Sequence, residues 1–412
     1  MLLWREPDMS RFRAWLSVRP NGVRPTPMAI FLIGIVQILV WGGSFFLLSV
    51  LGRPIMEETG WSRQWVYGAL SLGIFISGLL LPLCGDYIAR HGGRGMLAWS
   101  GVATAAGLLL MACSTGLPAF IAAWVILGGA MAIGLYDALY ATLGDSYGVQ
   151  AKSAITTITL ISGFCTTIVW PLLAFGAAHW GWRHTCMVWA VVLLATVWPV
   201  YRYTLPAPRQ DRETTRSRKN VALTFDRHTY LLLSTIFMLS AAIMTVISVQ
   251  LIDILQDEGL SLAAAIGISA VIGPSQVAAR VMDLVIRLSH PVWSLLISVS
   301  LVLAGVVFIG LFPAHALLAV VVYGAGNGLR SIVRGTLPLA ILKPEEFAVV
   351  MGKIARPSLI GQAVTPLIGG YLFDVAGARS VLLAVVLVAG INLLLTVLLI
   401  ARLKQQEKRL TQ

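Results

Sequence analysis

The chain has 412 residues, of which 58% are hydrophobic and 12% are charged, and its mean hydropathy is +0.84. This composition excludes a compact water-soluble domain, and with it a soluble enzyme, because too few polar side chains remain to cover a water-facing surface. The formal net charge of +12 would suit nucleic acid, but the basic residues fall in alternate polar loops, which is typical of membrane proteins instead.

Twelve apolar segments follow one another along the chain, and each is long enough to cross a bilayer as a helix. They cover 28–51, 64–86, 95–113, 118–142, 153–178, 185–203, 229–252, 262–288, 291–312, 315–341, 346–373 and 379–402. Prolines stand at or just before four segment starts, where a missing N–H costs least: Pro27, Pro118, Pro291 and Pro344. Short turns separate most neighbours, so we expect consecutive helices to run antiparallel.

The longest polar stretch, residues 204–228, divides these segments into two sets of six. Its basic residues favour a solvated loop that touches anionic lipid head groups over a binding domain. The predicted organisation is a cytoplasmic N-terminal segment 1–27, a first six-helix half 28–203, a cytoplasmic basic linker 204–228, a second half 229–403 and a cytoplasmic tail 404–412.

Lysine and arginine residues are divided unequally between the two sides of the predicted membrane. With the N-terminus placed in the cytoplasm, 21 of them fall on that side and 4 on the other, and 5 lie within segments. Because positive loops stay in the cytoplasm, the sequence predicts a cytoplasmic (inner) membrane protein with both termini inside. The four cysteines lack metal-ligand spacing, so we expect no metal, no cofactor and no disulfide.

Residues 85–94, GDYIARHGGR, connect the second and third segments. This loop resembles the G-x-L-x-D-R-x-G-R-R signature of the major facilitator superfamily. The matching residues are Gly85, Arg90, Gly92 and Arg94, whereas Ala89 stands at the aspartate position. The resemblance implies an all-α membrane protein with twelve transmembrane helices in two pseudo-symmetric six-helix halves, which is the major facilitator fold.

Two shorter stretches resemble the monocarboxylate-transporter-like branch, including its bacterial members. Residues 57–63, EETGWSR, lead into the second segment, and residues 273–280, GPSQVAAR, lie in the eighth. The resemblance implies that Arg280 binds a substrate carboxylate. Gln276 replaces the aspartate of the family's proton-coupling pair, and Ser49 stands where the family has a lysine. Anion binding is therefore expected, and coupling to a proton is left open.

Charged side chains inside a bilayer are costly unless they face a cavity or a partner, so five intramembrane cations mark a functional region. They are Arg280, Arg330, Arg334, Lys353 and Arg356, all in the second half. Arg330 is the deepest, about 16 Å from the inner end of its helix. Arg334 lies one turn away on the same face, where an anion between the two guanidinium groups would relieve their repulsion. Asn327 is assigned to the same substrate site.

An alternative interpretation gives part of this charge to gating. Residues assigned to gating or charge pairing are Asp283, Arg334, Arg356 and Arg90. Asp283 follows Arg280 by about one turn and could form a structural pair with it. Near the cytoplasmic ends of their helices, long basic side chains can also reach the aqueous interface.

In the first half, Gln37 and Trp41 fall on one side of the first segment together with Ser44, and Tyr136 precedes Asp137 in the fourth. An amide and aromatic rings suit a small polar ligand, although the same residue types also join helices. A buried carboxylate at Asp137 would either pair with a cation or change protonation during transport.

These observations predict a secondary active transporter that moves a small organic anion, a monocarboxylate, by alternating access. The expected partners are an anionic small-molecule substrate and membrane lipid, with a monomeric protein and no nucleic acid. One alternative is an exporter of drug-like or amphipathic compounds, which would depend more on Trp41 than on the arginines. Another is a membrane sensor that does not transport. The sequence carries no catalytic motif.

Overall fold

The computed structural model describes residues 25–147, 151–206, 226–286, 290–341 and 344–410, and these ranges contain helices and no strand. Most of the predicted N-terminal segment 1–27 and of the linker 204–228 lies outside the described residues. The helices are α1 Pro27–Gly42, α2 Leu48–Thr59, α3 Arg63–His91, α4 Arg94–Ala112, α5 Leu117–Gly134, α6 Tyr136–Tyr147, α7 Ala151–Ser162, α8 Cys165–Thr204, α9 Arg227–Asp257, α10 Leu262–Ala270, α11 Ile272–Ile286, α12 Pro291–Leu311, α13 Ala316–Ile341 and α14 Pro344–Leu410, with a 3₁₀ turn at Pro313–His315.

Nine helical stretches within the described ranges are long and apolar enough to cross a membrane. Two of them, Ser153–Thr204 and Arg356–Gln406, each cover two of the predicted segments. In each, a glycine with positive φ separates the two helices: Gly181 (φ 76°) in α8 and Gly377 (φ 75°) in α14. Together with the shorter apolar helix α1, this pattern is consistent with twelve spans, and the chain is an integral, multi-pass membrane protein.

The predicted helix starts at prolines are confirmed, but four predicted segments are interrupted. The predicted first segment ends early at Gly42 and resumes as α2. The fourth breaks at Leu135, where the backbone is extended (φ −82°, ψ −174°). The fifth breaks between α7 and α8 and the eighth between α10 and α11. Hydropathy cannot show such breaks, since the interrupting residues are as apolar as the helices around them.

Side chains cap several of these helices. Thr26 Oγ1 accepts a hydrogen bond from the Ala29 N–H at 3.2 Å, with Pro27 in the first turn of α1. Asp226 accepts hydrogen bonds from the Thr229 N–H at 3.2 Å and the Thr229 hydroxyl at 2.9 Å. The hydroxyl of Thr229 in particular holds the pKa of the Asp226 carboxyl below its usual value. Each cap satisfies backbone donors that the first helical turn leaves open.

One compact unit comprises Met1–Ser44, Leu79–Cys165 and Arg183–Thr215. Within it α4 packs against α5, and α1 against α7. The loop after α3 is held closely, because a Cβ added at Gly93 would lie 1.7 Å from Thr142 Oγ1 in α6. The glycine of this loop therefore permits a contact that no larger residue could make.

The second compact unit comprises Phe45–Gly78, Thr166–Trp182 and Arg216–Gln412. Its core lies where α9, α12, α13 and α14 meet and is formed by buried aliphatic and aromatic side chains. These are Leu233, Ile236, Phe237, Val292, Leu295, Val299, Val333, Leu337, Ile354 and Leu399. Burial of such side chains stabilises the packing by about 1.5–3 kcal/mol each in water, and in lipid close packing takes over that role.

Large apolar side chains also cover much of the outer surface of the helices. Trp99, Leu83, Val285 and Leu387 are among those that are more than half exposed. In water such a surface would be unfavourable, whereas in a bilayer it faces hydrocarbon. The exposed apolar surface thus agrees with the membrane assignment made from the helices.

Candidate functional site

A glycine-rich run in α13, residues 324–328, brings three helices of the second unit together. A Cβ added at Gly328 would lie 2.4 Å from the carbonyl oxygen of Gln276 in α11, and one at Gly326 would lie 2.7 Å from that of Ser298 in α12. The Ser298 hydroxyl donates to the Gly326 carbonyl at 2.7 Å. Because these contacts are to backbone, the positions require glycine, and they fix the height of the arginines on α11 and α13.

Arg280 of α11 is buried, with 8% of its surface exposed. Its Nη2 donates to Gln276 Oε1 at 3.2 Å and its Nε to the Gly328 carbonyl at 3.4 Å. The sequence left open an ion pair between Arg280 and Asp283, and the structure does not form it. Asp283 instead accepts a hydrogen bond from the Ser294 hydroxyl at 2.8 Å. These hydrogen bonds to amide and carbonyl groups orient the Arg280 guanidinium.

Arg330 lies two residues after the glycine-rich run of α13, and its Nε donates to Asn327 Oδ1 at 2.8 Å. Arg334 follows on the same face, as predicted. Among the described residues, neither arginine forms an ion pair with a carboxylate. The packing of α11 against α13 therefore brings Arg330, Asn327 and Arg280 together. No described acid balances the positive charge of Arg330 or Arg334.

The other basic residues assigned to gating lie elsewhere. Arg356 and Arg90 are exposed. The side chains of Lys353 and of the Glu345-Glu346 turn lie outside the described residues. Neither Arg356 nor Arg90 has an ion-pair partner among the described residues, and their part in gating stays a prediction.

Gln37, at the centre of α1, is fully buried and its amide is used inside the protein. Its Nε2 donates to the Gly134 carbonyl and to the Tyr201 hydroxyl, both at 2.8 Å, and its Oε1 accepts from Trp41 Nε1 at 3.2 Å. Ser44 Oγ donates to the Val40 carbonyl at 2.6 Å. These bonds match the interpretation of Gln37 as a residue that joins helices.

Trp41 and Tyr136 are partly exposed, and their ring centroids are 4.9 Å apart. Tyr140, one turn after Tyr136, stacks on it with centroids 5.1 Å apart, and the two phenols contact hydroxyl groups of α7 at 2.6 and 2.7 Å. This aromatic ladder, Trp41–Tyr136–Tyr140, contains one residue that the sequence analysis missed. The i, i+4 spacing of the two tyrosines could have indicated it.

Asp137 corrects an expectation, because its side chain is exposed and not buried. It begins α6 directly after the break at Leu135, where a carboxylate is favoured by the unpaired N–H groups of the first turn. The structure therefore does not show Asp137 as a desolvated carboxylate that requires a cation. Its contact with substrate stays a prediction.

The sequence analysis missed a second charged site, centred on Asp253 near the end of α9. This carboxylate is 5% exposed and forms an ion pair with Arg63 at the start of α3. The buried Tyr67 hydroxyl donates to the same oxygen at 2.7 Å. Arg63 also lies 3.7 Å from Asp374 and, through its guanidinium carbon, 4.0 Å from the ring centroid of Phe373. We call these five residues the latch.

Other contacts of the second unit join the same parts of the chain around the latch. Ser49 Oγ donates to the Ser248 carbonyl at 2.6 Å, and the Leu367 N–H donates to Ser71 Oγ at 2.9 Å. A Cβ added at Gly370 would lie 3.2 Å from the Arg63 carbonyl oxygen. At the end of the helices where α2 leads into α3, the first and second predicted halves are thus closely packed.

The described residues contain no cluster of histidine, cysteine and acidic side chains that could hold a metal ion. The groups at these sites are guanidinium, amide, hydroxyl and aromatic side chains, together with the Arg63–Asp253 ion pair.

Several solved structures share the fold of this chain at low sequence identity. The nucleoside transporter NupG aligns with a TM-score of 0.71 at 14% identity, over 92% of this chain and 98% of that one. The peptide transporter POT in complex with sulfate aligns at 0.70 and 14%, over 97% and 99%. A bacterial homologue of the human lysosomal transporter Spinster, inward-facing and occupied, aligns at 0.68 and 14%, over 90% and 96%.

At these identities the likeness shows the fold alone. No curated protein sequence matches the chain significantly. The family model described as Major Facilitator Superfamily matches residues 33–352, which is most of the chain. With its all-helical architecture and its membrane-crossing helices, the chain belongs to the major facilitator superfamily of transporters and is not an enzyme.

Proposed function

We propose that the protein is a secondary active transporter that moves a small organic anion, a monocarboxylate, across the cytoplasmic membrane by alternating access. The observation that carries this proposal is the positive charge of Arg330 and Arg334 on α13, which no described carboxylate neutralises. Arg280, held on the neighbouring helix by Gln276 and Gly328, adds a third cation. Uncompensated charge at this depth is unfavourable unless an anion binds there.

A carboxylate suits these residues because two guanidinium N–H groups match its two oxygens. The Nε of Arg330 is already used by Asn327, so its terminal nitrogens remain for a ligand. The similar structures include a nucleoside transporter and a peptide transporter, and the latter holds sulfate. They support transport of small polar solutes; the monocarboxylate is our inference from the arginines and from the resemblance of residues 273–280.

The latch supports alternating access. With both termini placed in the cytoplasm, as the distribution of lysine and arginine predicts, the latch closes the outer end of the transporter. Opening that end requires Arg63 to separate from Asp253, and the backbone contacts at Ser49 and Leu367 to break. For the two conformations to interconvert, the free energy lost when these contacts break must be offset by other contacts in the open state.

A second candidate is the export of amphipathic or drug-like compounds. The aromatic ladder Trp41–Tyr136–Tyr140 favours it, because partly exposed rings bind flat apolar groups without needing charge. In that case the ladder, and not Arg330, would determine affinity.

Uptake into liposomes and thermal stabilisation of the purified protein test the two candidates. The panel contains small monocarboxylates, amino acids, sugars and cationic drugs, each measured with and without an inward proton gradient. Wild type is compared with Arg330→Gln, with Arg330→Lys, which keeps the charge but not the bidentate geometry, and with Trp41→Phe. Arg379→Gln is the matched control, because the Arg379 side chain is 86% exposed at the opposite end from the predicted cytoplasmic tail.

For the proposed function we expect a monocarboxylate to be transported and to stabilise wild type and Arg379→Gln, with the effect lost in Arg330→Gln and weakened in Arg330→Lys. A proton gradient that increases uptake would identify the coupling ion. Stabilisation only by cationic or neutral amphiphiles, sensitive to Trp41→Phe and not to Arg330→Gln, would replace the proposal by the exporter. Correct folding of each variant is checked by a single symmetric peak in size-exclusion chromatography.

A further inference from the structure

A small polar cavity lies inside the second unit, between α9, α12, α13 and α14. Its polar lining is Ser240, Ser298, Tyr323, Asn327, Arg330 and Asn392, and four aliphatic or methionine side chains complete it. The cavity belongs to the packed interior of these four helices, next to the core cluster described above. Nothing in the transport proposal uses its tyrosine or its second asparagine.

Two polar atoms around this cavity have no hydrogen-bond partner among the described residues. Tyr323 is 1% exposed and its hydroxyl is unpartnered, and Asn392 is 2% exposed with its Oδ1 unpartnered. A buried polar group without a partner costs about 1–3 kcal/mol, so native proteins place few of them side by side. The two orphaned atoms at one cavity point to a bound species that satisfies them.

The Asn392 amide can face that species with either an acceptor or a donor. Asn392 Nδ2 lies 2.8 Å from Ser240 Oγ. The two orientations of an amide have the same shape and differ only in hydrogen bonding. With the amide reversed, the Ser240 hydroxyl donates to the amide oxygen, and the unpartnered position becomes an N–H donor. The two groups around the cavity that still lack a hydrogen-bond partner are then donors: an amide N–H and the Tyr323 O–H.

The charge around the cavity favours the donor orientation of the amide and an anionic occupant. Arg330 lines it and lies close enough to Tyr323 to interact with it electrostatically. Among the described residues, no acidic side chain belongs to the lining. Asn327 Oδ1 accepts from Arg330 Nε, and the Gly326 carbonyl accepts from the Ser298 hydroxyl. A guanidinium beside hydroxyl and amide donors favours an anion over a cation.

The size of the cavity limits which anion can enter. Its volume of about 10 Å³ is room for one water-sized occupant. A carboxylate or sulfate carries several heavy atoms and does not fit, whereas a chloride ion is only slightly larger than a water molecule.

We propose that this cavity binds one chloride-sized halide ion, held by Arg330, Tyr323, Asn392 and Ser240, which ties α9, α12, α13 and α14 together. The guanidinium of Arg330 has five N–H donors, and with its Nε on Asn327 it retains donors for both this ion and a substrate. The inference goes beyond the proposed function and does not depend on it, because the ion need not be transported.

Thermal unfolding of the purified protein tests the site. The protein is exchanged into halide-free gluconate buffer and titrated at constant ionic strength with chloride, bromide, iodide, sulfate or acetate. Tyr323→Phe and Asn392→Leu are the variants, since neither residue belongs to the proposed substrate site. Tyr147→Phe is the matched control, because Tyr147 is another buried tyrosine whose hydroxyl has no partner among the described residues, and it lies in the other unit.

We expect chloride and bromide to stabilise wild type and Tyr147→Phe saturably, whereas any stabilisation by acetate or sulfate should be the same in Tyr323→Phe as in wild type. The halide dissociation constant should rise at least about tenfold in Tyr323→Phe, as expected for loss of one charge-assisted hydrogen bond. In halide-free buffer Tyr323→Phe should be at least as stable as wild type, because it removes an orphaned hydroxyl. That last measurement also shows that the variant folds.

Two results would overturn the inference. Equal stability in chloride and gluconate would show that the cavity holds water or nothing. Stabilisation by acetate that depends on Tyr323 while chloride has no effect would assign the site to a carboxylate. Carboxylate uptake and its loss in Arg330→Gln are measured separately, so the failure of the halide site and the failure of the proposed transport function are distinguishable.

Discussion

Tyr67 donates its phenolic hydrogen to Asp253 at 2.7 Å and so joins two helices whose residues are 186 positions apart in the chain. Both side chains are buried, and Arg63 shares the same carboxylate oxygen. A buried carboxylate that pairs with one cation and accepts one hydroxyl hydrogen bond has its charge compensated. Removal of either partner leaves that charge poorly compensated in low-dielectric surroundings. The latch is therefore cooperative.

The first prediction concerns the coupling between Arg63 and Asp253. A double-mutant cycle with Arg63→Gln and Asp253→Asn should give a coupling free energy of about 1 to 3 kcal/mol, measured by unfolding in mixed micelles with sodium dodecyl sulfate. Flux should fall in both single variants, because the closed outer end is no longer stable. The control cycle is the exposed pair Arg53–Glu57, for which about 0.3–0.5 kcal/mol is expected. Equal coupling in the two cycles would show that the latch is only a surface ion pair.

A second prediction concerns Gln37. Gln37→Leu should destabilise the protein by about 1–3 kcal/mol, since the Tyr201 hydroxyl, the Gly134 carbonyl and Trp41 Nε1 lose partners. The affinity for a transported substrate should change little, because the side chain is fully buried. Unfolding midpoints and thermal stabilisation by the substrate measure the two quantities separately. A large loss of affinity with unchanged stability would restore Gln37 to the binding site.

A third prediction concerns the packing of α13 on α11. Gly328→Ala should destabilise the protein by about 1–3 kcal/mol, because the new Cβ would meet the Gln276 backbone, which cannot move aside. Gly335→Ala is the matched control in the same helix, as nothing lies within 4 Å of its Cβ position. There alanine should be neutral or stabilising by about 0.5–1 kcal/mol. Equal effects at the two positions would contradict the close approach of α11 and α13.

A fourth prediction is a pH dependence at Asp226. Its pKa is lower in the folded protein than the ordinary value of 3.8, mainly because of the Thr229 hydroxyl. The folded state therefore prefers the ionised form, and this contribution is present above pH 3.8 and disappears as the pH falls through the folded pKa. Asp226→Asn, which keeps a capping oxygen, should unfold at a slightly lower temperature than wild type at pH 7 and at the same temperature in strong acid. A difference that grows on acidification would reverse the sign of this argument.

Much of the transmembrane architecture followed from the sequence, and the exceptions are instructive. Arg63 and Asp253 each lie one residue outside a predicted segment, at 64–86 and 229–252, so both were assigned to loops. The helices extend further, and the two residues form an ion pair between helix ends. Hydropathy averages over many residues and places a boundary only to within a turn, whereas the cost of a buried charge depends on a single position.

The sequence by itself determined that this protein spans the membrane repeatedly as helices, because the bilayer requires about 20 apolar residues per span and that requirement is local. It also predicted a surplus of arginines within the apolar segments of the second half, which a count of residues shows. Only the tertiary structure decided which charges are paired and which are not. The distant partners of Gln37, Asp253 and Asn392 are 97 to 190 positions away in the sequence, and their meeting depends on how the helices pack.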